Sequence, residues 1–155
     1  MSEINLSLDS RKNLTIIVPC YNEQDCLEDT AKVLVGLIRS LIECCKIGGG
    51  SSILFVDDGS SDKTWQIISQ LSEINGFVRG LKLSRNFGHQ NALVAGLHEF
   101  TGDFCISIDA DLQDDVSVIP QMIEKYYEGC HVVYGQREKR KDDTVFKKNT
   151  AKLYY

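Results

Sequence analysis

The chain alternates between short apolar runs and longer segments in which apolar residues recur every three or four positions. The short runs, such as LTIIVP at 14–19, are rich in β-branched residues and indicate strands buried on both faces. The longer segments indicate helices that bury one face. The predicted strands are 14–19, 53–58, 78–83, 104–109 and 131–135, and the predicted helices run from Asp25 to Cys45, from Ser60 or Ser61 to Gly76, through Leu93 to Gly102, and from about Val118 to Tyr127.

Five predicted strands separated by helices indicate an α/β fold. We expect a Rossmann-like, mainly parallel sheet with helices on both faces. In such sheets, ligands bind beyond the carboxyl ends of the strands. Four polar motifs fall at these ends, namely PCYNE, VDDGSSD, SRNFGHQ and DADLQDD. The pattern therefore predicts one site built from all four.

The last of these motifs concentrates negative charge. Asp109 and Asp111 are two residues apart, so in an extended segment their side chains leave the backbone on the same side. They could share one divalent cation, and an oxygen-only pair suits Mg²⁺ or Mn²⁺. The alternative is that they cap the following helix. Asp114 and Asp115 lie nearer that helix, and we predict that they are caps.

The second motif places Asp57 and Asp58 at the end of a strand. A carboxylate there can accept hydrogen bonds from a base or a ribose. The alternative is turn chemistry and helix capping, which are common for Asp in such a sequence.

The first motif combines a strand exit at Pro19 with side chains suited to a nucleoside. Tyr21 can lie against a planar base, and Glu23 can bond a hydroxyl or a cation. The alternative is that Asn22 is a simple helix cap.

Three further residues are candidates for anion contacts. His89 could bind phosphate or be polar surface. Arg85 and Arg137 both follow predicted strand ends, where a guanidinium could reach a diphosphate, and solvation is the alternative for both.

The composition narrows the class of protein. The 155 residues, of which 43% are hydrophobic, suffice for about one domain with a real core. The net charge of -5 argues against a nucleic-acid partner. The charge is uneven, since residues 137–155 hold seven Lys or Arg and three Asp or Glu, a net +4, against -9 for residues 1–136. The two ends are therefore expected to meet different partners.

The six cysteines show no C-x-x-C pair and no zinc-ligand spacing, which favours buried thiols in a reducing compartment. The sequence shows no signal peptide and no apolar run near the roughly 18 residues that a membrane span needs. It also lacks G-x-G-x-x-G, P-loop and G-x-S-x-G motifs, so dinucleotide dehydrogenases, P-loop NTPases and α/β-hydrolases are disfavoured.

Taken in order, VPCYNE, VDDGSSDKT, SRNFGHQNAL and DADLQD closely resemble the family 2 inverting glycosyltransferases, which have the GT-A fold and a D-x-D metal site. The last two motifs are most similar to the polyprenyl-phosphate branch, which includes dolichol-phosphate mannose synthase and bacterial enzymes that make undecaprenyl-phosphate glucose. The match runs from about residue 14 to the chain end.

The resemblance implies a role for each matching residue. The nucleoside pocket would be lined by Pro19, Tyr21, Glu23, Val56 and Asp58, with Asp57 close by. Asp109 and Ala110 would contact the nucleotide sugar, and Mg²⁺ or Mn²⁺ would be held by Asp111, Gln113 and Asp109. Asp111 and Arg137 would act on the diphosphate or the acceptor.

The resemblance also suggests three parts: an N-terminal extension at 1–13, a nucleotide-sugar-binding core at 14–136, and the basic start of an acceptor and membrane-proximal region at 137–155. The family continues beyond this point, so the chain resembles a truncated, soluble part of a membrane-anchored protein. Phe146, Leu153 and Tyr154 lie among lysines, which is typical of a helix on a membrane surface or of a helix packed on its own domain.

The expected function is transfer of a hexose to a polyprenyl phosphate at the cytoplasmic face of the membrane, with inversion. The expected donor is UDP-glucose, with GDP-mannose as the alternative. A second hypothesis is a saccharide hydroxyl acceptor in capsule or cell-wall synthesis. A third is a non-catalytic receiver-like signalling module, which also carries acids at strand ends.

Overall fold

A computed structural model describes residues 11–135 of the chain. The strands are β1 (Leu14–Cys20), β2 (Ser52–Asp57), β3 (Val78–Lys82) and β4 (Phe104–Ser107), and the helices are α1 (Leu27–Glu43), α2 (Thr64–Ile74), α3 (His89–Glu99) and α4 (Ile119–Tyr127), which a 3₁₀ turn at Val116–Val118 precedes.

The four strands form one parallel sheet in the order β3-β2-β1-β4. Ile17 of β1 pairs with Leu54 of β2 on one side and with Ser107 of β4 on the other. All seven residues of β1 are buried, because this strand lies inside the sheet and is covered on both faces. The unbroken apolar run at 14–19 follows from this position.

Helices cover both faces of the sheet, as the sequence predicts. Gly96 of α3 lies so close to the sheet that a Cβ atom there would be 2.5 Å from Ile17 and 3.1 Å from Val56. On the other face, a Cβ atom at Gly80 of β3 would be 2.6 Å from Ile68 of α2. Helix α1 contacts α2 and β2. The predicted fold class is confirmed.

The strand order reverses beside β1. The chain passes from β1 through β2 to β3 on one side, and then places β4 on the other side of β1. Such a reversal opens a crevice at the carboxyl ends of the two strands that flank it. The motifs PCYNE and DADLQDD follow β1 and β4, so the topology brings them to the same crevice.

The predicted fifth strand is wrong for the described part of the chain. Residues 131–135 form no strand, and Val132 and Tyr134 are 68% and 88% exposed. The run HVVYG has β propensity, but a strand also needs a neighbour whose backbone groups pair with it. None of the four strands within residues 11–135 pairs with it.

Several predicted boundaries shift by one to three residues. Helix α2 begins at Thr64 rather than just after Ser60 or Ser61, because both serines hydrogen-bond to Asn22 in another loop. Strand β4 ends at Ser107, two residues before Asp109.

Asp115 is a cap, as predicted, although it caps the 3₁₀ turn before α4 and not α4 itself. The Asp115 carboxylate accepts a hydrogen bond from the Ser117 amide (2.9 Å). Hydrogen bonds from the Ser117 side chain and then from its amide lower the pKa of Asp115. Pro120 lies in the first turn of α4, where its missing N–H does no harm.

The chain divides into two compact units at Pro120. The predicted domain boundaries near residues 13 and 136 stay predictions. None of the helices between residues 11 and 135 has the length and hydropathy that a membrane span requires.

Candidate active site

A cavity of about 450 Å³ lies at the carboxyl ends of the strands, within the first unit. This volume is in the range of small-molecule sites. The residues that line it come from all four motifs: Pro19, Cys20, Tyr21, Glu23, Asp58, Asn86, Gly88, His89, Ala92, Asp109, Ala110 and Asp111.

The segments 21–24 and 58–64, called the paired loops below, are joined by hydrogen bonds. The Asn22 amide donates to Ser60 Oγ (2.9 Å), and the Ser61 amide donates to Asn22 Oδ1 (2.9 Å). The Glu23 amide donates to Thr64 Oγ1 (2.8 Å). Asn22 has a φ of 57°, a conformation that Asn adopts more readily than most residues.

This network fixes the backbone that follows Tyr21, a residue that lines the cavity. The alternative that Asn22 is a simple helix cap is wrong, because α1 begins at Leu27 and Cys26 occupies the cap position. Asn22 joins two loops instead of capping a helix.

Asp58 is buried and organises the loop between β3 and α3. Its Oδ1 accepts from the Phe87 amide (2.8 Å) and its Oδ2 accepts from the Gly88 amide (2.9 Å). The next residue, Gly59, has a φ of 69°, and a Cβ atom there would be 2.3 Å from the backbone carbon of Arg85. The motifs VDDGSSD and SRNFGHQ are therefore one packed unit.

Asp57 and Val56 lie behind the cavity wall, not on it. Val56 is fully buried and packs beside Gly96. Asp57 is also fully buried. Its Oδ1 accepts from the Ser60 amide (3.1 Å), while its Oδ2 has no hydrogen-bond partner among residues 11–135. Burial, Glu23 and Asp57, in that order, raise the pKa of the neighbouring Cys20 thiol.

Residues 109–113, called the acid loop below, present two exposed carboxylates to the cavity. The Asp109 side chain is 57% exposed. The Asp111 Oδ1 accepts from the Gln113 amide (3.0 Å), and Leu112 turns the chain with a φ of 54°. The Gln113 side chain is exposed and is not part of the cavity wall.

Ala110 lies between these two acids and is buried. Its carbonyl oxygen accepts a hydrogen bond from Thr30 Oγ1 (2.6 Å) of helix α1 and lies 3.5 Å from Cys26 Sγ. Neither Cys26 nor Thr30 was predicted as a site residue, because their spacing of four positions fits an ordinary helix.

Within residues 11–135, no group of three or more His, Cys, Asp or Glu side chains could hold a metal ion. Two exposed carboxylates on a cavity wall do fit a hard cation that takes its remaining ligands from phosphate oxygens and water, as Mg²⁺ commonly does.

His89 is the first residue of α3 and lies on the cavity wall, with its Nε2 3.8 Å from Asp109 Oδ1. The structure therefore places His89, a candidate phosphate contact in the sequence, beside Asp109 of the predicted metal site. Arg85 instead places its guanidinium 4.7 Å from the centre of the Phe87 ring. Arg137 lies outside the described residues.

Pro19, Tyr21, Glu23, Asp58, Asp109, Ala110 and Asp111 are thus the predicted residues that the fold brings to one cavity. Asn86 and Gly88 were missed, although they lie in a motif that the sequence had marked.

The sequence model of a family described as "Glycosyl transferase family 2" matches residues 15–154. The chain is 52% identical over 148 residues to "Uncharacterized glycosyltransferase YkoT" of Bacillus subtilis (strain 168). This match covers 94% of this chain and 44% of that protein. It is 37% identical over 142 residues to "Bactoprenol glucosyl transferase" of Shigella phage SfX, with 92% and 45% covered. The chain spans less than half the length of these relatives.

The fold is similar to that of a solved mannosyltransferase, PcManGT from Pyrobaculum calidifontis in complex with GDP-Man and Mn²⁺. The TM-score is 0.56 at 21% sequence identity, and the match covers 76% of this chain and 33% of that one.

Proposed function

Since the chain belongs to glycosyl transferase family 2, we propose that it is the nucleotide-sugar-binding part of an enzyme that transfers a hexose to a polyprenyl phosphate with inversion. The observation that carries this proposal is the exposed pair Asp109 and Asp111 on a cavity at the strand-order reversal. Family membership also removes the ground for the receiver-like hypothesis.

The nucleoside would lie against the paired loops. Tyr21 offers its ring to the base, Pro19 shapes the strand exit, and Glu23 accepts from a hydroxyl. Each oxygen of Asp58 accepts one backbone hydrogen bond and can accept another from a ligand, since Asp58 lines the cavity. Because Val56 and Asp57 are fully buried, we assign them a supporting role beneath the pocket.

The diphosphate would lie near the acid loop. Asp109 and Asp111 would hold a Mg²⁺ or Mn²⁺ ion, with the Gln113 side chain as a further oxygen ligand and Ala110 beside the sugar. When bound, such an ion offsets the negative charge that grows on the leaving diphosphate. The Gln113 amide orients one oxygen of Asp111, and Arg137 would supply a positive charge to the diphosphate or the acceptor.

UDP-glucose is the preferred donor, with GDP-mannose second. The similarity to a bactoprenol glucosyl transferase supports glucose and a polyprenyl phosphate, and the likeness to a fold that binds GDP-Man and Mn²⁺ supports a nucleotide sugar with a cation. A phosphate monoester has a second pKa of about 6, so it is largely dianionic at neutral pH and needs no strong general base.

The acceptor would approach from the membrane. The net charge of +4 in residues 137–155 would attract the anionic cytoplasmic surface, although these residues lie outside the described range. A saccharide hydroxyl would instead need a base to remove its proton, for which Asp114 is a candidate.

The test uses the full-length protein and calorimetry with UDP-glucose and GDP-mannose, each with and without Mn²⁺. We expect tighter binding of UDP-glucose and a strong dependence on Mn²⁺ that Asp111→Asn removes. Binding that ignores both the metal and Asp111 would overturn the proposed site.

The acceptor is tested separately by the release of UDP. We expect release only when polyprenyl phosphate in vesicles is added. Release that depends on a saccharide acceptor and ignores the lipid would establish the hydroxyl alternative.

A further inference from the structure

We infer that Thr30 is a positioning residue whose hydroxyl sets the backbone geometry of the acid loop. This inference rests on the proposed cation site at Asp109 and Asp111. It gives a function to a side chain of α1 that is not among the residues lining the cavity.

The central contact is short and buried. Thr30 is fully buried and Ala110 is 3% exposed, and the Thr30 hydroxyl lies 2.6 Å from the Ala110 carbonyl oxygen. Water therefore has little access to replace this hydrogen bond. A buried carbonyl that loses its donor keeps the cost of its desolvation.

The hydroxyl has a second possible acceptor, the Cys26 carbonyl at 3.0 Å. That carbonyl already accepts the Thr30 amide (3.0 Å), as expected within the first turns of a helix. A hydroxyl has one proton to donate. The shorter distance and the need of the Ala110 carbonyl both direct that proton to Ala110.

The Cys26 thiol lies near the same carbonyl, but Glu23 is its hydrogen-bond acceptor. Its Sγ lies 3.5 Å from the Ala110 oxygen and 3.2 Å from Glu23 Oε2. Burial and then the hydrogen bond to Glu23 raise the pKa of Cys26 to about 11, so the thiol keeps its proton near neutral pH. The thiol has one proton to donate, and the closer, charged Glu23 carboxylate accepts it, so the Ala110 carbonyl depends on the Thr30 hydroxyl.

The position of this carbonyl explains its importance. The Ala110 carbonyl belongs to the peptide bond that joins Ala110 to Asp111, so its direction sets how Asp111 is turned relative to Asp109. The β1–β4 ladder continues only to the Ile108 amide, which donates to the Ile17 carbonyl (3.1 Å). Beyond it, Thr30 fixes a backbone that would otherwise carry two exposed, mutually repelling acids.

Carboxylates that share a cation must be held at the right spacing, and residues behind the ligands commonly do this. If Thr30 performs this role, its loss should change cation affinity more than nucleoside affinity. A role in stability alone would lower the melting temperature and leave the affinity of the folded protein unchanged.

The experiment compares three variants of the full-length protein. Thr30→Val keeps the shape and removes the hydroxyl, Thr30→Ser keeps a hydroxyl, and Thr15→Val removes another buried hydroxyl, at the opposite end of β1, where Thr15 is 1% exposed. Calorimetry measures the affinity for Mn²⁺ in the presence of UDP and the affinity for uridine without metal.

We expect Thr30→Val to weaken Mn²⁺ binding by about tenfold or more, as is typical when a residue behind a metal ligand is lost. Uridine affinity should stay within about twofold in all three variants, and Thr30→Ser and Thr15→Val should bind Mn²⁺ like the unaltered protein. If Thr30→Val does not fold, Thr30→Ala removes the same hydroxyl without a branched methyl group.

Unchanged Mn²⁺ affinity in the folded variant without the hydroxyl would overturn the positioning role. Equal losses of Mn²⁺ and uridine affinity would also overturn it, because they would indicate a general disturbance. If the unaltered protein shows no Mn²⁺-dependent UDP binding, the proposed cation site itself fails, and this result is distinguishable from both others.

Discussion

The paired loops and the acid loop line the same cavity, yet the fold holds them differently. Hydrogen bonds from Asn22, Glu23 and Ser61 join the paired loops to one another, and Asp58 extends that network to the next loop. The acid loop is held mainly by the hydrogen bond from the Thr30 hydroxyl to the Ala110 carbonyl oxygen, while its two carboxylates are exposed. The paired loops are therefore ordered by their own hydrogen bonds, whereas the acid loop keeps its two carboxylates exposed.

This difference predicts two kinds of mutational response. A change in the acid loop should alter function with little effect on stability, since exposed like charges contribute little to folding. A change in the paired loops should alter stability first, since it removes buried or strained backbone contacts.

The largest expected effect is on function. Asp111→Asn should lower metal-dependent turnover in the full-length protein by about 100-fold or more, as when a transition-state contact is lost. The free energy of unfolding should stay within about 0.5 kcal/mol, as for a typical surface substitution. Enzyme assays and urea denaturation measure the two quantities.

Asp115→Asn is the matched control for Asp111→Asn, because it removes a nearby charge and Asn can still cap the turn. It should change neither quantity appreciably. A large loss of stability in Asp111→Asn would contradict the contrast between the two regions.

The next effect is on stability. Gly59→Ala should destabilise the protein by about 3 kcal/mol or more, because a Cβ atom would meet the backbone of Arg85 at a positive φ. Gly36→Ala is the control, since Gly36 lies in α1 with no atom within 4 Å of its would-be Cβ. That change should be neutral or stabilising by up to about 1 kcal/mol. Equal midpoints in urea for both variants would refute the close approach.

A smaller effect separates the two functions of Asn22. Asn22→Ala should cost about 1–2 kcal/mol, because it removes the acceptor for the Ser61 amide and places Ala at a positive φ. Asn22→Gly loses the same acceptor but tolerates the φ of 57°. We expect urea denaturation to show Asn22→Gly as the more stable of the two, and the reverse order would show that φ is unimportant there.

The smallest effect concerns Cys26, which touches both regions through Glu23 and Ala110. With a pKa of about 11, its thiol should react with iodoacetamide at pH 8 at least about tenfold more slowly than exposed Cys44. Peptide mass mapping over time measures both rates, and equal rates would contradict the raised pKa.

The raised pKa of Cys26 also predicts how the free energy of unfolding changes with pH. Because the pKa of Cys26 is raised in the folded state, the unfolded chain loses this proton first as the pH rises. The contribution of Cys26 to the free energy of unfolding is therefore complete below the ordinary thiol pKa and declines as the pH rises toward about 11. Cys26→Ala should flatten that alkaline decline in urea denaturation.

Much of the fold was predictable because local pattern and final environment agree. The apolar run at 14–19 becomes β1 since both of its faces are covered, and the spaced apolar residues after Asp25 become α1. The run at 131–135 has similar local chemistry but no partner strand within the described chain, so propensity alone predicted too much.

The candidate site was predictable as a set of motifs but not as a set of contacts. The sequence places Asp57 and Asp58 side by side. Only the fold shows that Asp57 is buried behind the cavity wall and that Asp58 lines the cavity and binds the loop at Phe87. Thr30 carries no signal, because its contact with Ala110 joins residues that are 80 positions apart.

The sequence by itself determined the parallel α/β order, the four motifs at strand ends and the acidic pair, because these follow from local periodicity and residue chemistry. Only the tertiary structure decided which acids face the cavity, which loops are joined and which helix holds the Ala110 carbonyl. These outcomes depend on strand order and helix packing, which bring distant segments within hydrogen-bonding distance and leave no trace in local sequence.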